Sequence, residues 1–462
     1  MSREQAIARI ADYFEGGGFY AELARRVAIH SESQETGQLR ELYRYLEDEM
    51  VPSLEQLGFT CEIHENPQPQ GGPFLVATRR EGDDRPTVMS YGHGDVVRGY
   101  DDQWLEGLSP WVLEKRGERW YGRGSADNKG QHTINMAAMR AVLEQRGELG
   151  FNAVILIETG EETGSPGLNE FCAANKVLFE ADVFIASDGP RLAPERPTVF
   201  MGSRGVLNFD LVVDLREGGH HSGNWGGLLA NPGVILAHAI ASLTTATGEI
   251  VVPEWRPPGG IPDSVRNAVS KLEIDGGESA PQIDPHWGEP GMTPAEKVFA
   301  WNSFEVLAFK TGNPGNPVNA IPPHASVHCH IRYVVPSDRD EFLPGLRRHL
   351  DANGFDMVEI VPDPGTMAAT RLDPDHPWAR WAVASIDATS GIETAVLPNL
   401  GGSLPNDVFA EVLGLPTIWV PHSYASCSQH APNEHILESV SEQALRIMTG
   451  LFWDLGEPGT PG

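Results

Sequence analysis

Apolar residues in the first part of the chain fall in short, dense runs. Phe74–Thr78, Thr87–Tyr91, Val154–Ile157 and Val183–Ala186 are compact and rich in β-formers, so each predicts a buried strand. Between the second and third runs lies Thr133–Gln145. Its apolar residues (Ile134, Met136, Ala138, Met139, Ala141, Val142) point almost all round a helix, which predicts a buried one. Strand–helix–strand order predicts a mostly parallel sheet with helices on both faces. Sheets of that kind carry their sites at the carboxyl ends of the strands.

The pattern changes near Gly205. Leu207, Phe209, Leu211, Val213 and Leu215 alternate with Asn208, Asp210, Asp214 and Arg216, which is a strand with one buried and one solvated face. Ala325–Val335 repeats the pattern, with Ser326, His328, His330 and Arg332 on the polar side. Helices are expected near Pro232–Thr244 and Arg339–Ala352, and Pro253–Pro294, rich in Pro, Gly and Asp, reads as an irregular excursion. Strand–helix alternation then resumes, with helices at Trp378–Thr389 and Glu438–Phe452 and strands at Thr394–Leu397 and Thr417–Val420. The simplest organisation is one α/β domain in two pieces, 1–205 and 373–462. A smaller α+β domain, 206–372, of about 165 residues interrupts it.

Composition narrows the function classes. With 40% apolar and 21% charged residues, the chain of 462 residues is neither disordered nor membrane-spanning in character. Its 34 Lys and Arg against 64 Asp and Glu give a net charge of −30, which disfavours nucleic acid and anionic membranes as partners. Most of that charge reads as solvated surface. The start, MSREQAIARI, lacks the apolar core of a signal peptide. Cys61, Cys172, Cys329 and Cys427 are far apart and form no CxxC pair, which fits a reducing, cytoplasmic setting and gives no thiolate metal site.

Five places put polar or acidic residues where an apolar strand ends. In Tyr91-Gly92-His93-Gly94-Asp95, His93 and Asp95 face the same way, and a carboxylate beside an imidazole suits a metal ligand. Taken alone, the pair reads as a buried hydrogen bond. The segment Tyr121–Gly130 (YGRGSADNKG) carries Asp127 before the predicted helix. Alone, Asp127 serves equally as a residue of the helix N-terminus, and the glycine spacing is not that of a phosphate loop. Glu158-Thr159-Gly160-Glu161-Glu162 sets adjacent carboxylates at the end of an apolar run, where they repel unless a cation is present. A surface turn is the alternative. Ser187-Asp188-Gly189 alone is an ordinary turn, and His430 in His430-Ala431-Pro432-Asn433-Glu434 alone is a structural histidine. Together, two histidines and several carboxylates at strand ends of one sheet supply N and O ligands without thiolate. That set suits a hydrolytic zinc pair, with Mn or Co as substitutes.

The segments GHGD, GRGSADNKG, ETGEETGS, SDG, HSGNWGG-x3-NP, NAIP-x9-R, GGSLP and HAPNE stand in the order found in the M20 family of metallopeptidases. The resemblance runs from Tyr91 to Glu434. Among subgroups, the chain is most similar to carnosinase-like and dipeptidase-like members. The family also takes in succinyl-diaminopimelate desuccinylase and acetylornithine deacetylase. The resemblance implies a phosphorylase/hydrolase-like α/β catalytic domain holding two Zn²⁺ ions, interrupted by a lid and dimerisation domain. It implies a homodimer that hydrolyses an amide or peptide bond of a dipeptide or N-acyl amino acid, with a hydroxide bridging the zinc pair. Carried over, His93 and Asp188 bind one zinc, Glu162 and His430 the other, and Asp127 bridges them, followed by a cis peptide bond. Glu161 is the general base and Asp95 orients His93. His221 reaches the site of a partner subunit and polarises the scissile carbonyl, although its neighbour His220 is an equal candidate on sequence alone. Asn319, Arg332, Gly402 and Ser403 hold the substrate; for Arg332 the alternative is an idle solvated sheet face.

Three positions depart from the family pattern. Arg98 stands where Pro is usual. Gly219-His220 precedes HSG in place of Asp-Leu, and Asn399-Leu400 precedes GGS in place of Arg-Glu. These touch the substrate pocket and leave the metal ligands intact, so carnosine-like substrates do not follow. The alternative function is a binding protein that keeps the fold without catalysis; retention of Glu161 speaks against it.

Overall fold

The computed structural model describes residues 2–274, 281–363 and 366–461. Eight strands form one sheet. Their spatial order is Thr60–His64, Phe74–Arg79, Asn152–Glu158, Thr87–His93, Val183–Ala186, Thr417–Trp419, Thr198–Phe200 and Ala395–Leu397. The four middle strands run parallel, with His93 opposite Glu158 and Ile418 opposite Ile185. The first two strands join them antiparallel. The sheet is therefore mixed but mostly parallel where it matters: the ends of the four central strands lie side by side.

Alternate residues of each central strand enter opposite cores, which is why the runs are apolar throughout. Ala77, Val88, Ile155 and Ile157 pack with Ile134, Met139 and Val142 of the helix Lys129–Arg146 and with Leu445 and Met448 of Glu438–Leu455. Val76, Met89, Val154 and Leu156 pack on the other side with Leu168, Phe171 and Phe409. Because the central helix is buried over its first three turns, its sequence shows no polar stripe.

A second, separate sheet is antiparallel, in the order Ser303–Thr311, His324–Tyr333, Gly205–Asp214 and Glu359–Pro362. Its register pairs Leu207 with Ile331, Phe209 with Cys329 and Leu211 with Val327. Those side chains form a third core with Leu236, Ala239 and Leu243 of the helix Pro232–Leu243 and with Leu346 and Leu350 of Phe342–Ala352.

The structure departs from the sequence-based expectations in several places, among them the unexpected sheet strands Thr60–His64 and Thr198–Phe200. Pro253–Pro294 is not irregular throughout. Asp263–Val269 is a helix, and Pro294–Phe299 follows as another, opened by a capping box at Thr293 and Glu296; residues 275–280 lie outside the described residues. Ser303–Thr311 is a strand whose alternation is broken by a bulge between Val306 and Ala308, so no period of two survives in its sequence. Two N-terminal helices, Arg3–Glu15 and Gly18–Val27, cover the first core.

Candidate metal centre

The strand Thr87–His93 carries His93 to its carboxyl end, where the imidazole is fully buried. Its Nδ1 lies 3.1 Å from the Asp95 carbonyl and 3.4 Å from Asp95 Oδ1. Its Nε2 lies 3.0 Å from Asp127 Oδ1 and 3.7 Å from Asp188 Oδ2. Asp95, also fully buried, has a second task. Its two oxygens accept the backbone N–H groups of Glu161 (3.2 Å) and Glu162 (3.1 Å), and Oδ2 accepts the Ser33 hydroxyl at 2.6 Å. One carboxylate thus fixes both the histidine and the turn that presents the paired glutamates.

Asp127 sits in a loop before the central helix, and its peptide bond to Asn128 is cis. Glu434 holds that loop. Its carboxylate is buried and accepts N–H groups from Gly124 (3.0 Å), Ala126 (2.9 Å) and Asp127 (3.0 Å), and it pairs with the buried Arg123 at 2.8 Å. Asn128 adds a bond from its side-chain amide to the Ser187 carbonyl at 2.9 Å, tying the loop to the Asp188 turn. His430, in a left-handed backbone conformation at φ 58°, projects from the opposite loop. Its Nε2 is 3.0 Å from Glu162 Oε2 and 3.2 Å from Asp127 Oδ2.

Among the described residues, three groups of donors could each hold an ion: His93, Asp127 and Asp188; Asp127, Glu162 and His430; and His93, Glu161 and Glu162. Within each, one donor atom per residue lies within 4.8 Å of the others, and Asp127 belongs to the first two, one oxygen toward each histidine. The charge balance asks for cations. Asp95, Asp127, Glu161, Glu162 and Asp188 crowd around only two histidines. Burial pushes Glu162 up to about 7 and Asp188 up to about 6, with the charge of Asp127 adding to both. Burial also raises Glu161 well above the usual carboxylate range; His93 opposes the shift, and Glu162, Asp188 and Asp127 reinforce it. Hydrogen bonds to Asp127 and Glu162 push His430 up to about 11. Burial works against ionisation of Asp127, yet the bonds from His430 and His93 hold it well below its ordinary value. Asp188 Oδ2 is buried with no hydrogen-bond partner, which costs free energy unless something positive meets it. An all-N/O donor set with an orphaned carboxylate oxygen fits divalent zinc, manganese or cobalt.

The residues expected to touch substrate fall into two groups. Arg332, on the polar face of the second sheet, donates from Nη1 to Ser403 Oγ at 2.7 Å, and Ser403 donates to the Arg204 carbonyl at 2.6 Å. Gly402 adjoins them, its carbonyl accepting the Arg204 N–H at 3.2 Å. Asn319 and His221 lie together elsewhere on the insert: His221 is paired with Ala320, and the Asn319 carbonyl accepts the Ser222 N–H at 2.9 Å. His221 is exposed and its Nδ1 accepts the Gly223 N–H, a bond that stays within the insert. Within one chain, then, the metal-ligand candidates converge, and His221 is not a member of their groups.

Ser33, Asn128 and Glu434 were given no part in the site from sequence. Glu434 closes the segment HAPNE, and a glutamate next to a cluster of turn residues is its only signal in the sequence. Ser33 had none.

The profile of peptidase family M20/M25/M40 matches residues 89–454. The chain is 33% identical over 480 aligned residues to the Beta-Ala-His dipeptidase of Homo sapiens, covering 95% of this chain and 90% of that one. It is 28% identical over 366 residues to the cysteinylglycine-S-conjugate dipeptidase of Corynebacterium striatum, covering 77% of each. Among solved structures it superposes on an M20 family metallo-carboxypeptidase from Sulfolobus solfataricus with a TM-score of 0.78 at 23% identity. That match covers 95% of this chain and 99% of that one, and it shows the fold.

Proposed function

Since the chain belongs to peptidase family M20/M25/M40 and is a metallopeptidase of that family, we propose that it hydrolyses the amide bond of a small substrate, a dipeptide or an N-acyl amino acid, at a two-metal centre. The observation that carries this reading is the pair of ligand triads sharing Asp127. His93 and Asp188 would hold one ion, Glu162 and His430 the other, with Asp127 common to both. Bound there, two divalent cations would supply Lewis acidity and lower the pKa of the attacking water.

The chain's own groups do the rest. The Glu161 carboxylate, whose backbone is anchored on Asp95, takes the proton of the attacking water and delivers it to the leaving amine nitrogen. Arg332, whose Nη1 donates to Ser403, would receive a substrate carboxylate. His221 of a partner chain would donate to the scissile carbonyl oxygen; in its own chain its Nδ1 accepts the Gly223 N–H.

A homodimer is part of the proposal. The strand Ser303–Thr311 is an edge of the second sheet and exposes Val306, Leu307 and Phe309, an apolar edge that invites pairing with a second copy. We assign residues 206–372 to this lid unit, and 1–205 with 373–462 to the catalytic unit. The four strands of the second sheet all start and end between Gly205 and Pro362.

The test is hydrolysis of a panel of dipeptides, N-acyl amino acids and amide-capped analogues by protein loaded with zinc, manganese or cobalt. Turnover of at least one free-carboxylate substrate, abolished by a chelator, is expected. No turnover of any amide by fully loaded protein would leave the binding-protein reading.

A further inference from the structure

His93 lies between two glycines, and each leaves room for a side chain from another part of the fold. A Cβ on Gly92 would meet His132 Cβ at 2.8 Å and Asn128 Oδ1 at 3.1 Å. A Cβ on Gly94 would run into the ring of Tyr45. Tyr45, His132 and Asn128 are all buried, and they form one hydrogen-bonded chain behind His93. Tyr45 Oη lies 2.6 Å from His132 Nε2, and His132 Nδ1 lies 3.1 Å from Asn128 Oδ1. None of the three belongs to a ligand group.

Their hydrogen-bond partners leave one proton arrangement. The Ser187 carbonyl only accepts, so the Asn128 amide nitrogen faces it, at 2.9 Å. Oδ1 is thereby turned toward His132, and it also accepts the His93 backbone N–H at 3.4 Å. Facing an acceptor, His132 Nδ1 carries a proton. Burial lowers the proton affinity of this imidazole well below its ordinary value, with the charges of Arg26, His93 and Lys129 adding to the effect. Its Nε2 is therefore bare and accepts the Tyr45 hydroxyl.

Asn128 is where this chain reaches the metal centre, and it reaches one side of it. It accepts from the amide of His93, follows Asp127 directly, and holds the carbonyl of Ser187, the residue before Asp188. His93, Asp127 and Asp188 are together one ligand group. Glu162 has other anchors: its N–H donates to Asp95 at 3.1 Å, and its carbonyl accepts from Gln34 Nε2 at 3.0 Å.

We propose that Tyr45, His132 and Asn128 are positioning residues that set the metal affinity at His93, Asp127 and Asp188 and leave the position of Glu162 and His430 unaffected. The inference rests on the two-metal reading above and gives its two positions separate control. Loss of a group that orients metal ligands typically costs about 10–100-fold in affinity.

Competition of zinc-loaded, full-length protein with a chromophoric zinc chelator tests this. Each position is read with the other disabled, the first in a His430→Ala background and the second in a His93→Ala background. His132→Asn keeps an N–H donor where Nδ1 stood, whereas His132→Gln keeps a polar group only where Nε2 stood. In the His430→Ala background, His132→Gln should weaken zinc binding by about 10–100-fold, and His132→Asn should restore most of it. In the His93→Ala background, neither substitution should change zinc binding. Tyr45→Phe, which removes one hydroxyl and adds no bulk, should weaken the first position alone, and it decides the matter if His132→Gln does not fold. Equal losses at both positions overturn the inference, because a general loss of structure would produce them. An undiminished first position in His132→Gln and Tyr45→Phe overturns it too, as does a His132→Asn protein no better than His132→Gln. Wild type that binds two ions while His430→Ala binds none also overturns it, with the two-metal reading intact. Wild type that binds no zinc removes that reading, and the inference with it.

Discussion

Asp95 and Glu434 do at the residue scale what the ligands cannot do for themselves. Asp95 holds the imidazole of His93 and the amides of Glu161 and Glu162, so one buried side chain positions a proposed ligand of each metal and the proposed base. Glu434 compensates Arg123 and three backbone N–H groups. Glu434→Ala leaves that guanidinium buried and unpaired, so chemical denaturation should find it less stable by about 3–5 kcal/mol. Elemental analysis should find its metal content reduced, since the Asp127 loop loses its anchor. Neighbouring glutamates should separate cleanly. Glu161→Gln keeps the size of the side chain but cannot take the proton; kcat should fall by about 10²–10⁴-fold with both metals retained. Glu162→Gln should lose metal as well as activity. Equal metal content in the two variants would mean that the ligand and base roles are wrongly divided.

Much of this was readable at the level of elements. Strands buried on both faces gave themselves away as unbroken apolar runs, and Asp127, Glu161 and Asp188 stood out because they follow such runs or precede an apolar helix. The capping boxes Ser2–Gln5 and Thr293–Glu296 were equally legible as S/T-x-x-E/Q patterns and mark two helices that periodicity missed. The bulged strand Ser303–Thr311 was not legible, because its extra residue erases the alternation. Neither was the second role of Asp95, which depends on two turns meeting in space. That bulged edge strand also carries an element-scale prediction. A Leu307→Lys, Phe309→Glu double variant should sediment as a monomer where wild type sediments as a dimer, because the charges interrupt an exposed apolar edge. The proposed dimer bears on His221: mixing His221→Ala with Glu161→Gln subunits should restore part of the activity that each lacks. Mixed dimers as inactive as their parents would place His221 in service of its own chain.

For the whole molecule, the −30 net charge and the two sheets describe a protein whose acidity is mostly surface, with one acidic cluster gathered at the strand ends. Among the described residues, no helix is long and apolar enough to cross a membrane. All four cysteines are unpaired; burial pushes Cys172, Cys329 and Cys427 up to about 12 and the less buried Cys61 up to about 11. A thiol reagent at pH 8 should therefore modify Cys61 slowly and the other three only on unfolding, as peptide mapping would show. The most direct test of the account counts metal ions. Elemental analysis of purified, metal-saturated protein should find close to two divalent ions per chain, His93→Ala should retain about one, and Asp127→Ala should retain almost none, because its carboxylate is common to both triads. A wild-type content of one ion, or an Asp127→Ala protein that keeps both, would contradict it.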